Sequence, residues 1–338
     1  MTSKYFKAIF LFVFAIGVLQ GCKQQTTDKA ADAPTLSAEE VVAIDSRGKE
    51  IRLPKVPNRV VALFDATVDD VFMLDAQDKL VGIPEQIYHN DDALAFFSKL
   101  SSRMANKEIA TPTFGGRASN VEAIVGLQPD LVITFAEEKE TVDQLENLNI
   151  PVFTIASFDQ QGILDELLGI GTLLGKKERA ENIVNYISGE IKKMEAEPIQ
   201  DKKKAYYAWS KGRILSTSGK GTLMDLAIQL SGAENACPLE MQAPNVGAEM
   251  LYKWNPDLMI LWNTEANDVY SLSELANLPA VVNNHVYVMK PALKYDPHTV
   301  KFLLFAKQVR HWAYPTIYTE EMLQHDVNEA MSILYKLN

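Results

Sequence analysis

The side chains able to carry chemistry are few and dispersed. The five histidines, His89, His285, His298, His311 and His325, show no paired spacing of the kind that converges imidazoles on a transition metal. Only His298 has suitable company, with Tyr295 and Asp296 just before it. It reads either as a weak metal candidate or as a loop histidine held by hydrogen bonds. His-Glu-x-x-His, Gly-x-Ser-x-Gly and a P-loop are all missing from the sequence. Ser218-Gly219-Lys220-Gly221-Thr222 lacks the spacing that cradles a phosphate. These patterns argue against an enzyme and for a protein that binds without altering what it holds. A secreted hydrolase is the alternative from another class.

The N-terminus carries the most specific local signal. Lys4 and Lys7 precede an uncharged apolar run from Ala8 to Leu19, and Leu19-Gln20-Gly21-Cys22 follows. Twelve helical residues span about 18 Å, short of the roughly 30 Å hydrocarbon core, so the run reads as a secretion signal over residues 1–21. Leu at −3, Gly at −1 and Cys at +1 resemble the lipobox of bacterial lipoproteins, which implies that Cys22 is acylated and becomes the mature N-terminus. Several acyl chains on one residue anchor durably where one does not. Residues 22–40, rich in Gln, Thr, Ala, Asp and Ser, then form a flexible tether. Cys237 is the only other cysteine, so lipidation of Cys22 excludes an intramolecular disulfide and leaves Cys237 a buried structural role.

Bulk composition narrows the class further. A chain of 338 residues exceeds what one hydrophobic core usually organises. Hydrophobic residues at 47% and charged residues at 23% are those of a folded globular protein. A net charge of −11 without a dense basic run leaves nucleic acid without its counter-charge.

The elements that must position any site alternate. Val42 and Ile44, a Ser46-Arg47-Gly48 turn, then Ile51 and Leu53 predict a β-hairpin. Val60 to Phe64, Leu80 to Ile83, Leu131 to Thr134 and Val152 to Ile155 are continuous apolar runs, the signature of strands buried on both faces of a parallel sheet. Helical periodicity lies between them, at Val68–Leu74 and Val121–Leu127. The second half repeats the pattern: Glu122 to Ile133 matches Glu249 to Ile260 at a constant interval, each with a helix stopped by a Pro-Asp pair and followed at once by a strand. Ala180, Ile183, Val184, Ile187, Ile191 and Met194 mark one long helix from about Lys176 to Glu197, about 30 Å by the helical rise. A rod of that length can brace two lobes and limit their closure. The expected fold is α/β, two Rossmann-like lobes with mostly parallel sheets joined by one long backbone helix. The expected division is an N-terminal lobe over 41–158, a helical region over 159–200 and a C-terminal lobe over 201–338.

Asp45-Ser-Arg-Gly-Lys-Glu-Ile-Arg-Leu-Pro54, Pro57-Asn-Arg-Val-Val-Ala62, Leu74-Asp-Ala-Gln-Asp-Lys-Leu-Val-Gly82 and Asn120-Val-Glu-Ala-Ile to Pro129-Asp-Leu-Val-Ile133 carry a family resemblance. Gly221-Thr222 to Gly232-Ala-Glu-Asn235, Asn255-Pro-Asp-Leu258, Leu278-Pro-Ala-Val-Val and Phe302-Leu-Leu-Phe-Ala-Lys to Tyr314-Pro315 continue it. In this order the segments resemble the helical-backbone (class III, cluster A-II) periplasmic binding lipoproteins that serve iron-siderophore, haem and cobalamin ABC importers. The resemblance implies capture of an iron-siderophore or related metal chelate between the lobes and delivery to an ABC permease and its ATPase. It further implies a monomer facing the periplasm or the exterior, tethered to a membrane, with no cofactor of its own. Haem, cobalamin, a bare transition metal or a molybdate-type oxyanion are alternative ligands.

The resemblance places the ligand between the lobes, and α/β geometry independently places binding residues in loops at the carboxyl ends of strands. From the first lobe this selects Phe64, Asp65, Tyr88, Arg117 and Phe135, and from the second Trp209, Arg213, Trp262, Asn263, Tyr295 and His298, with Lys211 a weaker member. Aromatic walls with a few cations suit a flat anionic chelate through stacking, cation–π contact and charge-assisted hydrogen bonds. Family members also dock on the permease through one surface acid per lobe. That role falls on Asp69 in the first lobe, and on Asp225 or Gln229 in the second.

Overall fold

The computed structural model describes residues 40–114, 118–156, 158–209 and 212–337. The signal segment, the lipidation candidate Cys22 and two site candidates, Arg117 and Lys211, lie outside the described residues. Among those described, no helix is long and apolar enough to cross a membrane.

The predicted hairpin forms from β1 (Val41–Ile44) and β2 (Glu50–Leu53), paired antiparallel. Its turn is organised by Asp45, whose Oδ1 accepts from the backbone N–H groups of Arg47 and Lys49 at 2.9 and 3.1 Å. Gly48 supplies the positive φ of 76° that the reversal needs. The first lobe then runs β3 (Val60–Ala62), α1 (Asp65–Met73), β4 (Leu80–Gly82), α2 (Gln86–His89), α3 (Asp91–Leu100) and α4 (Ser102–Ala105). A small hairpin of β5 (Thr113–Phe114) and β6 (Ala118–Ser119) follows, then α5 (Val121–Gly126), β7 (Leu131–Phe135), α6 (Lys139–Asn147) and β8 (Val152–Ile155). Helices α7 (Gln160–Leu173) and α8 (Lys177–Ala196) lead to the second lobe. That lobe holds β9 (Lys204–Ala208), α9 (Leu223–Leu230), β10 (Glu234–Asn235), α10 (Ala248–Trp254), β11 (Leu258–Trp262), α11 (Ala266–Tyr270), α12 (Pro279–Val282) and β12 (Val286–Met289). Helices α13 (Phe302–Ala313) and α14 (Glu320–Tyr335) close the chain.

Both four-stranded sheets are parallel and share one topology, β4-β3-β7-β8 in the first lobe and β10-β9-β11-β12 in the second. The repeat read in the sequence has a physical basis here. In each copy the residue before the proline, Gln128 or Asn255, turns left-handed with φ 49° and ends its helix. The aspartate after the proline then stitches the new strand to its neighbour. Asp130 Oδ2 accepts from the N–H groups of Asn58 and Arg59 at 2.8 and 2.9 Å, and Asp257 Oδ2 accepts from Lys204 N at 2.8 Å. The backbone N–H groups of Asp130 and Asp257 answer by donating to the carbonyls of Arg59 and Lys204.

Successive side chains of a strand alternate between faces, and this explains the unbroken apolar runs. Val60, Ala62, Leu131 and Ile133 face one large cluster that also takes Ala205, Tyr207, Leu258 and Ile260 of the second sheet. The opposite faces have separate, smaller clusters, Val61, Val132 and Val152 in one lobe and Tyr206, Met259 and Leu261 in the other. The lobes therefore share a single central core, filled from α7, α8, α9, α13 and α14. The predicted long helix is α8, with Ala180, Ile183, Ile187, Ile191 and Met194 buried as its stripe requires. It packs on α7 on one side and on α9 and α13 on the other.

Arginines fix α8 near both ends. Arg179 Nε donates to Met73 O at 2.5 Å and its Nη2 to Leu334 O at 2.9 Å, satisfying carbonyls at the ends of α1 and α14. Arg310 Nη2 donates to Glu197 O at 3.2 Å just past the other end. The apolar stripe assigns the bracing to α8 alone, yet α14 also returns to the first lobe. Tyr335 OH donates to Asp69 Oδ1 at 2.6 Å, and Lys336 pairs with Asp75 at 2.6 Å.

Midway along α8, Glu190 accepts from Lys307 Nζ of α13 at 2.6 Å, and Lys307 also pairs with Asp326 of α14, which accepts from Tyr318 OH at 2.7 Å. Burial alone would raise Asp326, but the bonds from Lys307 and Tyr318 hold it below its ordinary value. Glu190 is likewise lowered against its burial by Lys193 and Lys307. For carboxylates with depressed folded-state pKa the contribution is present above the ordinary value and lost as pH falls through the lowered one. Thermal melts of the wild type should therefore drop as pH falls below about 4. Asp326→Asn should cost about 1–2 kcal/mol at neutral pH and melt with a shallower acid dependence. An unchanged acid limb in that variant would remove Asp326 from this role.

Candidate functional site

The carboxyl ends of the strands gather the candidate residues. Phe64 follows β3 in extended conformation as the N-cap of α1, where the Thr67 hydroxyl donates to its carbonyl at 2.7 Å. Its ring meets Phe135, at the end of β7, edge-on at 5.0 Å. It also meets His298 of the second lobe at 6.0 Å and 88°. That contact places the tips of the two sheets against one another. Asp65 opens α1, where the helix dipole favours an acid, and its Oδ1 accepts from Gln86 Nε2 at 2.9 Å.

In the second lobe Trp209 follows β9 and is fixed at several points. Its indole Nε1 donates to Thr217 O at 2.8 Å, its backbone N–H donates to Ser216 O at 3.0 Å, and its ring stands edge-on to Tyr207 at 5.5 Å. The Arg213 guanidinium lies 5.9 Å from the indole centre, a cation–π distance. Beside Arg213 a cavity of about 300 Å³ opens between residues 212–216 and Asn245, Val246 and Leu272. Trp262 ends β11, and Asn263 after it is exposed with φ 47°. Phe64, Phe135, Trp209 and Trp262 all rest partly buried on the shared central core. The core thus holds each ring in place while part of each residue stays exposed.

His298 has a fixed partner. Asp296 Oδ1 accepts from the His298 backbone N–H at 3.0 Å and lies 3.1 Å from its Nδ1. Burial works to raise the Asp296 carboxyl, yet His298 and Lys301 hold it below its ordinary value as a carboxylate. A carboxylate on one ring nitrogen fixes the tautomer and orientation of the imidazole. His298 and Asp296 make two donors, fewer than a transition-metal site needs. Among the described residues the one grouping of three possible metal ligands is His325, Asp326 and Glu329 on α14, away from the strand tips.

Burial corrects the expectations for Tyr295, Asp69 and Asp225. Tyr295 is 4% exposed and belongs to the core, where loss of solvent pushes its phenol up to about 12. Tyr88 uses its hydroxyl to bridge the backbone N–H and C=O of Ile109, both at 3.1 Å, which makes it a staple of the loop after α4. Asp69 is fully buried, ion-paired to Lys301 at 2.5 Å, so it is no surface docking acid. Asp225 is buried as well. It caps the start of α9, accepting from Gly221 N at 2.9 Å and from Gln229 Nε2 at 2.7 Å, so it too is unsuited to docking.

Phe158 is absent from the residues selected by sequence, although it lies just past the end of β8, as Phe135 ends β7, and is 57% exposed. The strand-tip rule would have selected it. Gln86, which opens α2 after β4, carries no comparable sequence signal.

A family model for periplasmic binding proteins matches residues 60–293. The chain belongs to the periplasmic binding protein family. Among relatives of this binding protein, one from Bacillus subtilis (strain 168), described as an uncharacterized ABC transporter substrate-binding lipoprotein, YvrC, is 23% identical over 294 residues, 83% of this chain and 88% of that one. The iron(3+)-hydroxamate-binding protein FhuD of the same organism is 24% identical over 314 residues, 86% of this chain and 92% of its own. The solved Haemophilus influenzae molybdate periplasmic binding protein MolA, bound to molybdate, superposes with a TM-score of 0.74 at 19% identity, covering 88% of this chain and 98% of that one. That likeness shows the fold of this periplasmic binding protein, with its two parallel sheets and flanking helices.

Proposed function

We propose that this periplasmic binding protein is the lipid-anchored solute-binding component of an ABC importer, and that it captures an iron-siderophore or related metal chelate between its lobes for delivery to the permease. The observation that carries the reading is the meeting of strand tips: Phe64, packed edge-on to Phe135 of its own lobe, lies against His298 of the other, with Trp209 and its cation Arg213 at a neighbouring strand end. Aromatic faces resting on a rigid core present area at little entropic cost and suit the flat or rounded surface of a chelate. Among the described residues no group of three possible metal ligands lies at the strand tips, and closing a coordination shell around a bare ion needs at least that many. The named relatives, a substrate-binding lipoprotein and a ferric-hydroxamate binder, support the same class.

Cys22 is the proposed site of acylation, with residues 22–40 the tether and the folded body facing the periplasm or exterior as a monomer. The reading is tested on protein purified from iron-limited cells by native mass spectrometry and absorption spectroscopy. A hydroxamate or catecholate charge-transfer band with intact ligand mass is the expected result. A Soret band would reassign the ligand to haem. Chemically altered ligand, or Cys22→Ser leaving the protein in the membrane fraction, would sink the corresponding part of the reading.

A further inference from the structure

The cavity beside Arg213 is held open by backbone bonds. Gly212 takes a positive φ of 69° at the corner of the loop after β9. The returning arm is laced on both sides: Trp209 N–H donates to Ser216 O at 3.0 Å, Val246 N–H to Leu215 O at 2.8 Å and Thr217 N–H to Pro244 O at 3.1 Å. The corner is pinned to the tip of β11, where the Thr264 hydroxyl accepts from Gly212 N–H at 3.2 Å and donates to Trp209 O at 3.3 Å. At about 300 Å³ the cavity stands at the low end of small-molecule pockets, with room for a side arm but not for a whole chelate. Its apolar lining, Ile214, Leu215, Val246 and Leu272, belongs to the cluster on the outer face of the second sheet, whereas Trp209 rests on the shared core. Arg213 stands at the boundary between them, lining the cavity while its guanidinium lies 5.9 Å from the indole centre. The rest of the polar lining is the Ser216 hydroxyl and the Asn245 amide, and none of the described residues around the cavity is acidic. An apolar sleeve with a guanidinium and two neutral donors matches a short hydrocarbon arm that ends in a carboxylate.

We infer that this cavity is a subsite for a carboxylate-ended arm of the bound chelate, with the body of the chelate on Trp209 and the arm passing over Arg213 into the flank of the second lobe. The inference rests on the solute-binding reading above and narrows it to chelates that carry a pendant acid. The Arg213 guanidinium and the Asn245 amide donate to the carboxylate, and the apolar sleeve takes the methylenes. A neutral arm gains only the sleeve. A cationic arm meets Arg213 as a like charge.

One chelate with three arms tests this: ferrioxamine B, whose arm ends in an ammonium, and its N-acetyl and N-succinyl derivatives, whose arms are neutral and anionic. Fluorescence titration of wild type should rank succinyl above acetyl by about fivefold, the scale of one solvent-screened charge pair, with the ammonium form weakest. Arg213→Ala should bring the succinyl form down to the acetyl form and leave the acetyl form unchanged within about twofold. Asn245→Asp places a carboxylate in the cavity and should reverse the order of the succinyl and ammonium forms. Asn245 is exposed, so this variant should melt within about 2 °C of wild type. Leu272→Trp fills the cavity with every charge intact and should abolish the preference for the succinyl arm. Equal binding of the succinyl and acetyl forms by wild type would overturn the inference, as would tighter binding of the ammonium form. So would a succinyl preference that survives either Asn245→Asp or a folded Leu272→Trp, the arm then lying outside the cavity. All of these results leave the chain a solute-binding protein. Binding of none of the three chelates by wild type would overturn the siderophore reading and the inference together.

Discussion

Lys301→Met is expected to lower stability by about 3–5 kcal/mol, the usual cost of stripping one partner from a buried ion pair. Lys301 is 1% exposed, and its ammonium lies 2.5 Å from Asp69 Oδ2 while also bonding to the Leu293 carbonyl. Asp69 takes a second bond from Tyr335 OH. Burial already pushes the Asp69 carboxyl above its ordinary value, with Lys301 as the main opposing influence. Without the lysine the charged form loses its partner, and Asp69 shifts further upward. A carboxyl with a raised folded-state pKa penalises folding as pH climbs above its unfolded value of about 3.9. The deficit in Lys301→Met should therefore be largest at neutral and alkaline pH and shrink toward pH 4. In thermal melts the fall at pH 7 should be on the order of 10 °C. Asp69→Asn added to Lys301→Met should recover most of it, because a neutral amide needs no counter-charge and still accepts from Tyr335. A single variant that melts within about 2 °C of wild type would mean that the pair contributes little across this junction.

The second large effect concerns affinity. Trp209→Ala is expected to weaken ligand binding by at least about 30-fold, the scale of a well-packed aromatic anchor. The indole is held by Thr217, by Tyr207 and by its own backbone bond to Ser216, so its open face is presented without the entropy cost of ordering a mobile side chain. Trp209→Phe keeps a ring face but loses the bond to Thr217, and should fall between. Arg213→Ala should cost less, about fivefold, because Arg213 is exposed and its charge acts through water. Isothermal titration with the co-purifying ligand checks all three. Unchanged affinity in Trp209→Ala would remove the second-lobe wall from the site.

Much of the architecture was legible because burial on both faces leaves a one-dimensional trace. Leu131 to Phe135 and Leu258 to Trp262 form where unbroken apolar runs follow Pro-Asp, and the reason is chemical: the proline stops the helix and the aspartate grips the adjacent strand. The stripe of α8 was equally plain. The buried charges were not. Asp69 reads as a solvated helix acid, and its partners Lys301 and Tyr335 lie more than two hundred residues away, a contact that no local pattern encodes. A clue existed in α1, where Ala66, Thr67, Val68, Val71, Phe72 and Met73 leave little polar surface for an outward face, and a helix apolar all round is a buried one. Asp225 had a similar clue, since Thr222-x-x-Asp225 is the spacing of a reciprocal helix cap. Strand tips located Phe64, Phe135, Trp209 and Trp262, but direction along a loop is invisible in sequence. Tyr295 turned inward while His298, three residues later, turned toward Phe64.

The merger of the inner sheet faces has a bearing on how the molecule comes apart. The link after α8, Glu197 to Gln200, is largely exposed to solvent, so a protease can nick it. The two fragments would nonetheless stay wedded, since the inner faces of both sheets feed one apolar cluster together with helices from either side of the cut. What began in the sequence as a duplicated motif has become, in three dimensions, a molecule that cannot be halved.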